Sequence, residues 1–160
     1  MKRDDLKGLN LSNPAHLAAV GFGSGLAKKA PGTFGTLAAV PIYYFMSFLS
    51  VPLYIAVLFA SIAFGIWVCH VTSRDMGTHD HGAIVWDEFV GYWITMLMVP
   101  FSWQWALIGF VLFRIFDIVK PFPISWLDKK VHGGLGIMLD DIVAGLFAGM
   151  ALQFLLYLYG

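Results

Sequence analysis

The sequence predicts an all-α protein, a multi-helix bundle embedded in a membrane, with about five apolar helices and a charged cytoplasmic face. Three observations predict it. Only 12% of the 160 residues are charged, while 59% are hydrophobic. A soluble domain carries roughly 25% charged residues, and a chain of this size could not hide so much apolar surface from water. The apolar residues gather into five runs of helical length, and the ten basic and ten acidic side chains collect in the connections on one side of those runs.

Taken in order, residues 1–11 are polar and lack the apolar core of a cleavable signal, so they read as an N-terminal tail on a single domain spanning 1–160. Ser12 and Asn13 before Pro14 read as an N-cap followed by proline in the first turn, opening a short helix through Val20. Apolar runs follow at 36–49, 53–71, 89–99, 105–119 and 142–159. Crossing a bilayer takes about 17–25 residues. The second and fifth runs suffice outright, the first only from Thr33 and the fourth only with Trp103 included, while the third is short even from Trp86.

The turns Ser50-Val51-Pro52 and Pro100-Phe101-Ser102 carry no charge. The segments 1–31, 72–88 and 120–141, with the helix turns next to them, hold the charges, and Arg114 is the deepest. Five alternating passes therefore put both neutral turns and the C-terminus on one side and the charges on the other, which the positive-inside rule makes cytoplasmic. Trp67, Trp86, Trp93, Trp103, Trp105 and Trp126 fall mostly near run ends, where an aromatic belt would sit. Gly145 and Gly149, beside Ala144 and Ala148, form a small-residue stripe suited to close helix packing.

Other classes are excluded. Disorder needs low hydrophobicity and high net charge, and the net charge is zero. No basic footprint for nucleic acid is present. A single cysteine, Cys69, cannot form an internal disulfide and reads as a buried small hydrophobe.

The acids cluster: Asp87 and Glu88 at the start of the third run, Asp117 at the end of the fourth, Asp140 and Asp141 at the start of the fifth. Carboxylates converging from three helices repel unless a cation lies between them. Hard oxygen ligands suit Mg²⁺, which combines one or two carboxylates with substrate phosphate oxygens. Helix capping by Asp87 and Asp140 is the plainer alternative, and leaves Glu88, Asp117 and Asp141 unexplained. Arg114, Asp117 and Lys120 share one helix face at i, i+3, i+6, either as an intrahelical ion pair or as a grip for an anionic substrate.

Glycine-rich segments at 21–25 and 31–36 lack the spacing of a nucleotide-binding loop, but permit close backbone approach at a helix entrance, where free N–H groups favour phosphate. The segment 132–136 leads into Asp140, where it would position the acids or cover the site. His70, His79 and His81 around Asp80 invite a zinc reading, yet no HExxH is present and they fit a solvated loop. No GxSxG elbow supports a serine hydrolase.

Four ordered motifs carry a resemblance. Pro31-Gly32-Thr33-Phe34-Gly35-Thr36, Val85-Trp86-Asp87-Glu88-Phe89, Phe113-Arg114-Ile115-Phe116-Asp117-Ile118-Val119-Lys120-Pro121-Phe122-Pro123-Ile124, and His132-Gly133-Gly134-Leu135-Gly136-Ile137-Met138-Leu139-Asp140-Asp141 followed by Ala144-Gly145 closely resemble the phosphatidylglycerophosphatase A family. The resemblance runs from about Ser12 to Gly149, and Thr36 stands where members often have serine, which keeps the hydroxyl.

It implies a Mg²⁺-dependent phosphatase of the bacterial inner membrane, active at the cytoplasmic face, that converts phosphatidylglycerophosphate in the bilayer to phosphatidylglycerol. Joined to the reading of the acids, it makes Asp87, Glu88, Asp117, Asp140 and Asp141 the catalytic set. Glu88, Asp117, Asp140 and Asp141 would place the metal, with Asp87 as a further ligand or the general base. Thr33, Thr36, Arg114 and Lys120 would hold the phosphate.

Two other readings stand beside it. Ser73-Arg74 followed by His79 comes one residue short of a phosphohistidine-type phosphatase pattern. A non-enzymatic transporter or channel subunit would line a pathway with Arg114 and Asp117.

Overall fold

Breakers and caps divide the chain as the sequence indicates. The structure, a computed structural model, describes residues 3–160, with side chains from residue 5 onward; Met1 and Lys2 of the expected tail lie outside the described residues. After a 3-10 turn at Arg3–Leu6 come α1 (Pro14–Ala19), a second 3-10 segment at Gly21–Leu26, α2 (Pro31–Met46), α3 (Val51–Met76), α4 (Trp86–Thr95), α5 (Trp103–Val119), α6 (Ile124–Lys130) and α7 (Gly133–Tyr159). No strand occurs among the described residues.

Several ends have visible causes. The Asn13 side chain accepts from the Ala15 N–H at 3.0 Å, capping α1 as expected. Ser102 does the same for α5 through the Trp105 N–H. At the end of α3, Gly77 turns left-handed at φ 65°, and the Gly77 and Thr78 N–H groups close back on the carbonyls of Arg74 and Ser73.

Each of the five apolar runs contributes a helix, but among the described residues only α3 and α7 are long and apolar enough to cross a membrane, which corrects the expectation of about five such helices. In each, only 22% of an apolar 18-residue window is buried within the protein, so most of that window faces outward while the other face joins the core. Phe59, Phe64, Trp67, Leu146, Met150 and Phe154 lie along their exposed faces.

The third run fails as a span for a physical reason: α4 is the core. Every residue of it except Glu88 is buried, with α2, α3, α5 and α7 packed around it. Its neighbourhood is tied together by aromatic donors. Trp86 Nε1 donates to the Ser61 carbonyl and Trp93 Nε1 to that of Ala39, both at 3.1 Å. Tyr92 Oη donates to Ala106, while Tyr54 and Tyr43 donate to Trp93 and Val99. Each such bond is worth about 0.5–1.5 kcal/mol net, and leaving a buried donor unpaired costs more. Trp86 and Trp93 are therefore core residues and not part of an aromatic belt, whereas Trp67, Trp103 and Trp126 are exposed.

The small-residue stripe works as expected. A β-carbon at Gly145 would stand 2.5 Å from the Gly91 carbonyl oxygen, so α7 and α4 meet almost backbone to backbone. The same device begins α7 earlier than its apolar run. At Gly134 a β-carbon would lie 1.9 Å from the Ile66 carbonyl oxygen, and this packing on α3 holds residues 133–136 helical despite glycine's weak propensity.

Candidate functional site

Three helices deliver the acids. The Val85 N–H bonds to the Ala19 carbonyl at 2.8 Å, and the Val85 side chain is wedged against Gly21, Gly25 and Gly35, which fixes the entrance of α4. The next turn presents Asp87 and Glu88. Neither capping expectation holds: the N-cap of α4 is Val85 and that of α7 is His132, and Asp140 lies two turns inside α7. Asp87 and Glu88 still sit in the first turn of α4, where the helix dipole favours negative charge.

Glu88 is enclosed, its side chain only 13% exposed. A β-carbon on Gly32 would fall 2.2 Å from Glu88 Oε1, so the glycine at the start of α2 is what makes room for this carboxylate. Thr36, fully buried one turn later, has its hydroxyl 2.9 Å from the Gly32 carbonyl and 3.3 Å from Glu88 Oε2. Its single proton is spent within the protein, while Thr33 is half-buried on the same turn. Arg114 Nη1 reaches Glu88 Oε2 at 3.2 Å and also binds Asp117 Oδ2, so the expected intrahelical pair exists and extends to α4. Lys120 Nζ lies 2.7 Å from Asp140 Oδ2 and 3.2 Å from Asp128 Oδ1, joining the end of α5 to α7 and α6.

Burial pushes the Glu88 carboxyl up to about 8, against the lowering effect of Arg114. The Asp87 carboxyl is also raised well above its ordinary range, first by burial and then by the charges of Glu88, Asp80, Asp140 and Asp117. For Lys120, burial alone would favour the neutral form, but the bonds and charges of Asp140 and Asp128 prevail and raise its pKa.

Five carboxylates thus face two fixed cations. Asp87 Oδ1, Asp140 Oδ1 and Asp141 Oδ2 are buried with no hydrogen-bond partner. Unpaired buried charge costs several kcal/mol per ion. Ligand oxygens of Asp87, Glu88 and Asp141 all lie within 4.8 Å of one another, as do those of Asp117, Asp140 and Asp141. The buried acids could bind a metal, and an all-oxygen donor set with orphaned oxygens fits a hard divalent cation.

The histidines do not join these groups. His79 packs beside His132, and His81 Nδ1 accepts from the Ala83 N–H. The Ser73-Arg74-His79 pattern is likewise dispersed: Ser73 bonds to the His70 carbonyl and exposed Arg74 pairs with Asp75, which also holds His16. Sequence reasoning missed Asp128, which resembles ordinary surface charge beside Lys129 and Lys130, and Asp80, whose charge acts on Asp87 and Glu88. It also missed the steric role of Gly32.

The class is thus an all-helical bundle with two helices of span length and, flanked by Arg114 and Lys120, a buried carboxylate cluster that could bind a metal. Comparison with known proteins narrows this class. The phosphatidylglycerophosphatase A family model matches residues 17–156, and the chain belongs to that family. It is 56% identical over 148 residues to the Escherichia coli K12 protein named phosphatidylglycerophosphatase A, covering 92% of this chain and 86% of that one. The Haemophilus influenzae protein of the same name is 49% identical over 151 residues, covering 92% and 91%. A Bacteroides thetaiotaomicron protein with the provisional name phosphatidylinositol-3-phosphatase is 39% identical over 140 residues, covering 82% and 87%. No solved structure matches the chain significantly.

Proposed function

We propose that this protein is a Mg²⁺-dependent lipid phosphatase that hydrolyses phosphatidylglycerophosphate to phosphatidylglycerol and inorganic phosphate. The two carboxylate groups, Asp87 with Glu88 and Asp141 and Asp117 with Asp140 and Asp141, with orphaned oxygens on Asp87, Asp140 and Asp141 and with Arg114 and Lys120 beside them, are the observation that carries it. The names of the relatives supply the substrate class.

In this reading Glu88, Asp117, Asp140 and Asp141 hold Mg²⁺, which when bound supplies Lewis-acid polarisation of the phosphoryl group. Arg114 and Lys120, with the Thr33 hydroxyl, orient the phosphate. Thr36 acts through Glu88 as a positioning residue, since its hydroxyl is committed to Glu88 and Gly32. Asp87, its pKa raised by burial, is a further ligand or the group that takes the proton from the attacking water. The water oxygen forms the new bond to phosphorus in line with the departing glycerol oxygen, whose bond to phosphorus breaks and which takes its proton from solvent water, while the proton lost by the attacking water returns to solvent.

The 160 residues act as one domain, in the bacterial inner membrane, with the site at the cytoplasmic face. Two span-length helices with outward apolar faces and the sorting of charge to one end support this placement.

Phosphate release from a small panel of lipid phosphates by the purified protein, with and without Mg²⁺, tests the reading. Release from phosphatidylglycerophosphate that needs Mg²⁺ and disappears in folded Asp140→Asn and Glu88→Gln is the expected result. Full activity in both variants would overturn the assignment of the site, and release from none of the lipids would overturn the function.

A further inference from the structure

We propose that the acidic site holds two divalent cations at once, with Asp141 serving both. This rests on the metal-dependent reading above and goes beyond it. The ligating oxygens fall into two triads, not one cluster of five: Asp87, Glu88 and Asp141 in the first, Asp117, Asp140 and Asp141 in the second. Asp141 is the only member they share. It is 2% exposed, and its Oδ2 has no hydrogen-bond partner.

Each triad also has an orphan of its own. Asp87 Oδ1 lies in the first and Asp140 Oδ1 in the second, on residues 6% and 4% exposed. A single cation in either triad would leave the other with an uncompensated buried carboxylate oxygen, and such a group costs several kcal/mol. Lys120 bonds to Asp140 Oδ2 and leaves Oδ1 free, while Arg114 engages Glu88 Oε2 and Asp117 Oδ2. The fixed cations thus take one oxygen of each of these carboxylates and leave the other available.

Charge decides the same way. With all five carboxylates ionised, Arg114 and Lys120 offset two of the five negative charges and leave a net of minus three. One divalent ion brings the site to minus one, which repels a phosphate monoester; two bring it to plus one, which attracts it. Asp128 beside Lys120, and Asp80 acting on Asp87 and Glu88, add two negative charges to either count, which leaves minus three with one ion and minus one with two, so the second ion still removes most of the repulsion. Two-ion sites suit in-line displacement at phosphorus because both the attacking and the leaving oxygen need stabilising.

Mn²⁺ serves as the probe, with detergent-purified full-length protein. Equilibrium dialysis should give two Mn²⁺ per chain, and low-temperature electron paramagnetic resonance should show a spin-coupled pair. Asp87→Asn and Asp117→Asn should each reduce the stoichiometry to one, and Asp141→Asn should abolish the coupling. One uncoupled ion in the unaltered protein would overturn the two-ion site and leave the metal-dependent reading standing. Two uncoupled ions would overturn the sharing by Asp141, and no bound ion would overturn both readings.

Discussion

Lys120 leaves α5 in a left-handed conformation, φ 48° and ψ 60°, and from there places its ammonium 2.7 Å from Asp140 of α7. A non-glycine residue with positive φ is uncommon. The following Pro121 disfavours continuing the helix, so the backbone bends at the residue whose side chain crosses to the site. Lys120→Met should keep the fold and lower phosphate release by about 10- to 100-fold, in line with about 1.5–3 kcal/mol for a charged hydrogen bond. Lys120→Arg should recover part of that loss. Steady-state rates of the two variants check this, and a wild-type rate for Lys120→Met would refute it.

Gly32→Ala places a methyl group 2.2 Å from Glu88 Oε1. Gly32 has no positive φ, so alanine is otherwise welcome near a helix start. The expected outcome is an unchanged circular dichroism spectrum with cation affinity reduced at least tenfold, read by Mn²⁺ titration. Unchanged affinity would mean that Glu88 does not need its observed position.

Stability without metal should depend on pH in a definite direction. Glu88 is raised from its ordinary 4.5 to about 8. Protonated Glu88 is the form the folded state prefers, so the stability it contributes is fully present below about 4.5 and is lost as pH rises through about 8. Melting in detergent with a chelator should therefore occur several degrees lower at pH 9 than at pH 6. Added Mg²⁺ should narrow the difference, because it stabilises the ionised carboxylate. A melting temperature that is flat or rises over this range contradicts the burial argument.

Gly145→Val should destabilise the protein by at least about 1–3 kcal/mol, the usual cost of overpacking. The first added carbon already meets the Gly91 carbonyl at 2.5 Å. α4 carries Asp87 and Glu88 while α7 carries Asp140 and Asp141, so forcing these helices apart should also weaken cation binding. Thermal melting and Mn²⁺ titration of the same sample read both effects.

Helices and acids were legible because their signals are local. Asn13 before Pro14 caps α1 by its own side chain, and the apolar runs mark the helices whatever surrounds them. Asp87, Glu88, Asp117, Asp140 and Asp141 stood out because charge is scarce in this chain. The depth of α4 was not legible, since a core helix and a membrane helix are equally apolar and only packing distinguishes them. The start of α7 was hidden for a related reason: Gly133 to Gly136 read as a loop until the backbone of α3 is there to receive them. Asp128 could not be told from surface charge without knowing where Lys120 points.

The aromatic bonds around α4 place their demands unevenly. In each, a specific side chain, Trp86, Trp93, Tyr43, Tyr54 or Tyr92, donates to a main-chain carbonyl. Any residue supplies a carbonyl, so Ser61, Ala39 and Ala106 can vary without loss of the bond provided their size still fits. The five donors have no such freedom. Sequence drift should therefore be absorbed mainly on the accepting side of each bond, leaving the orientation of α4, and with it Asp87 and Glu88, undisturbed.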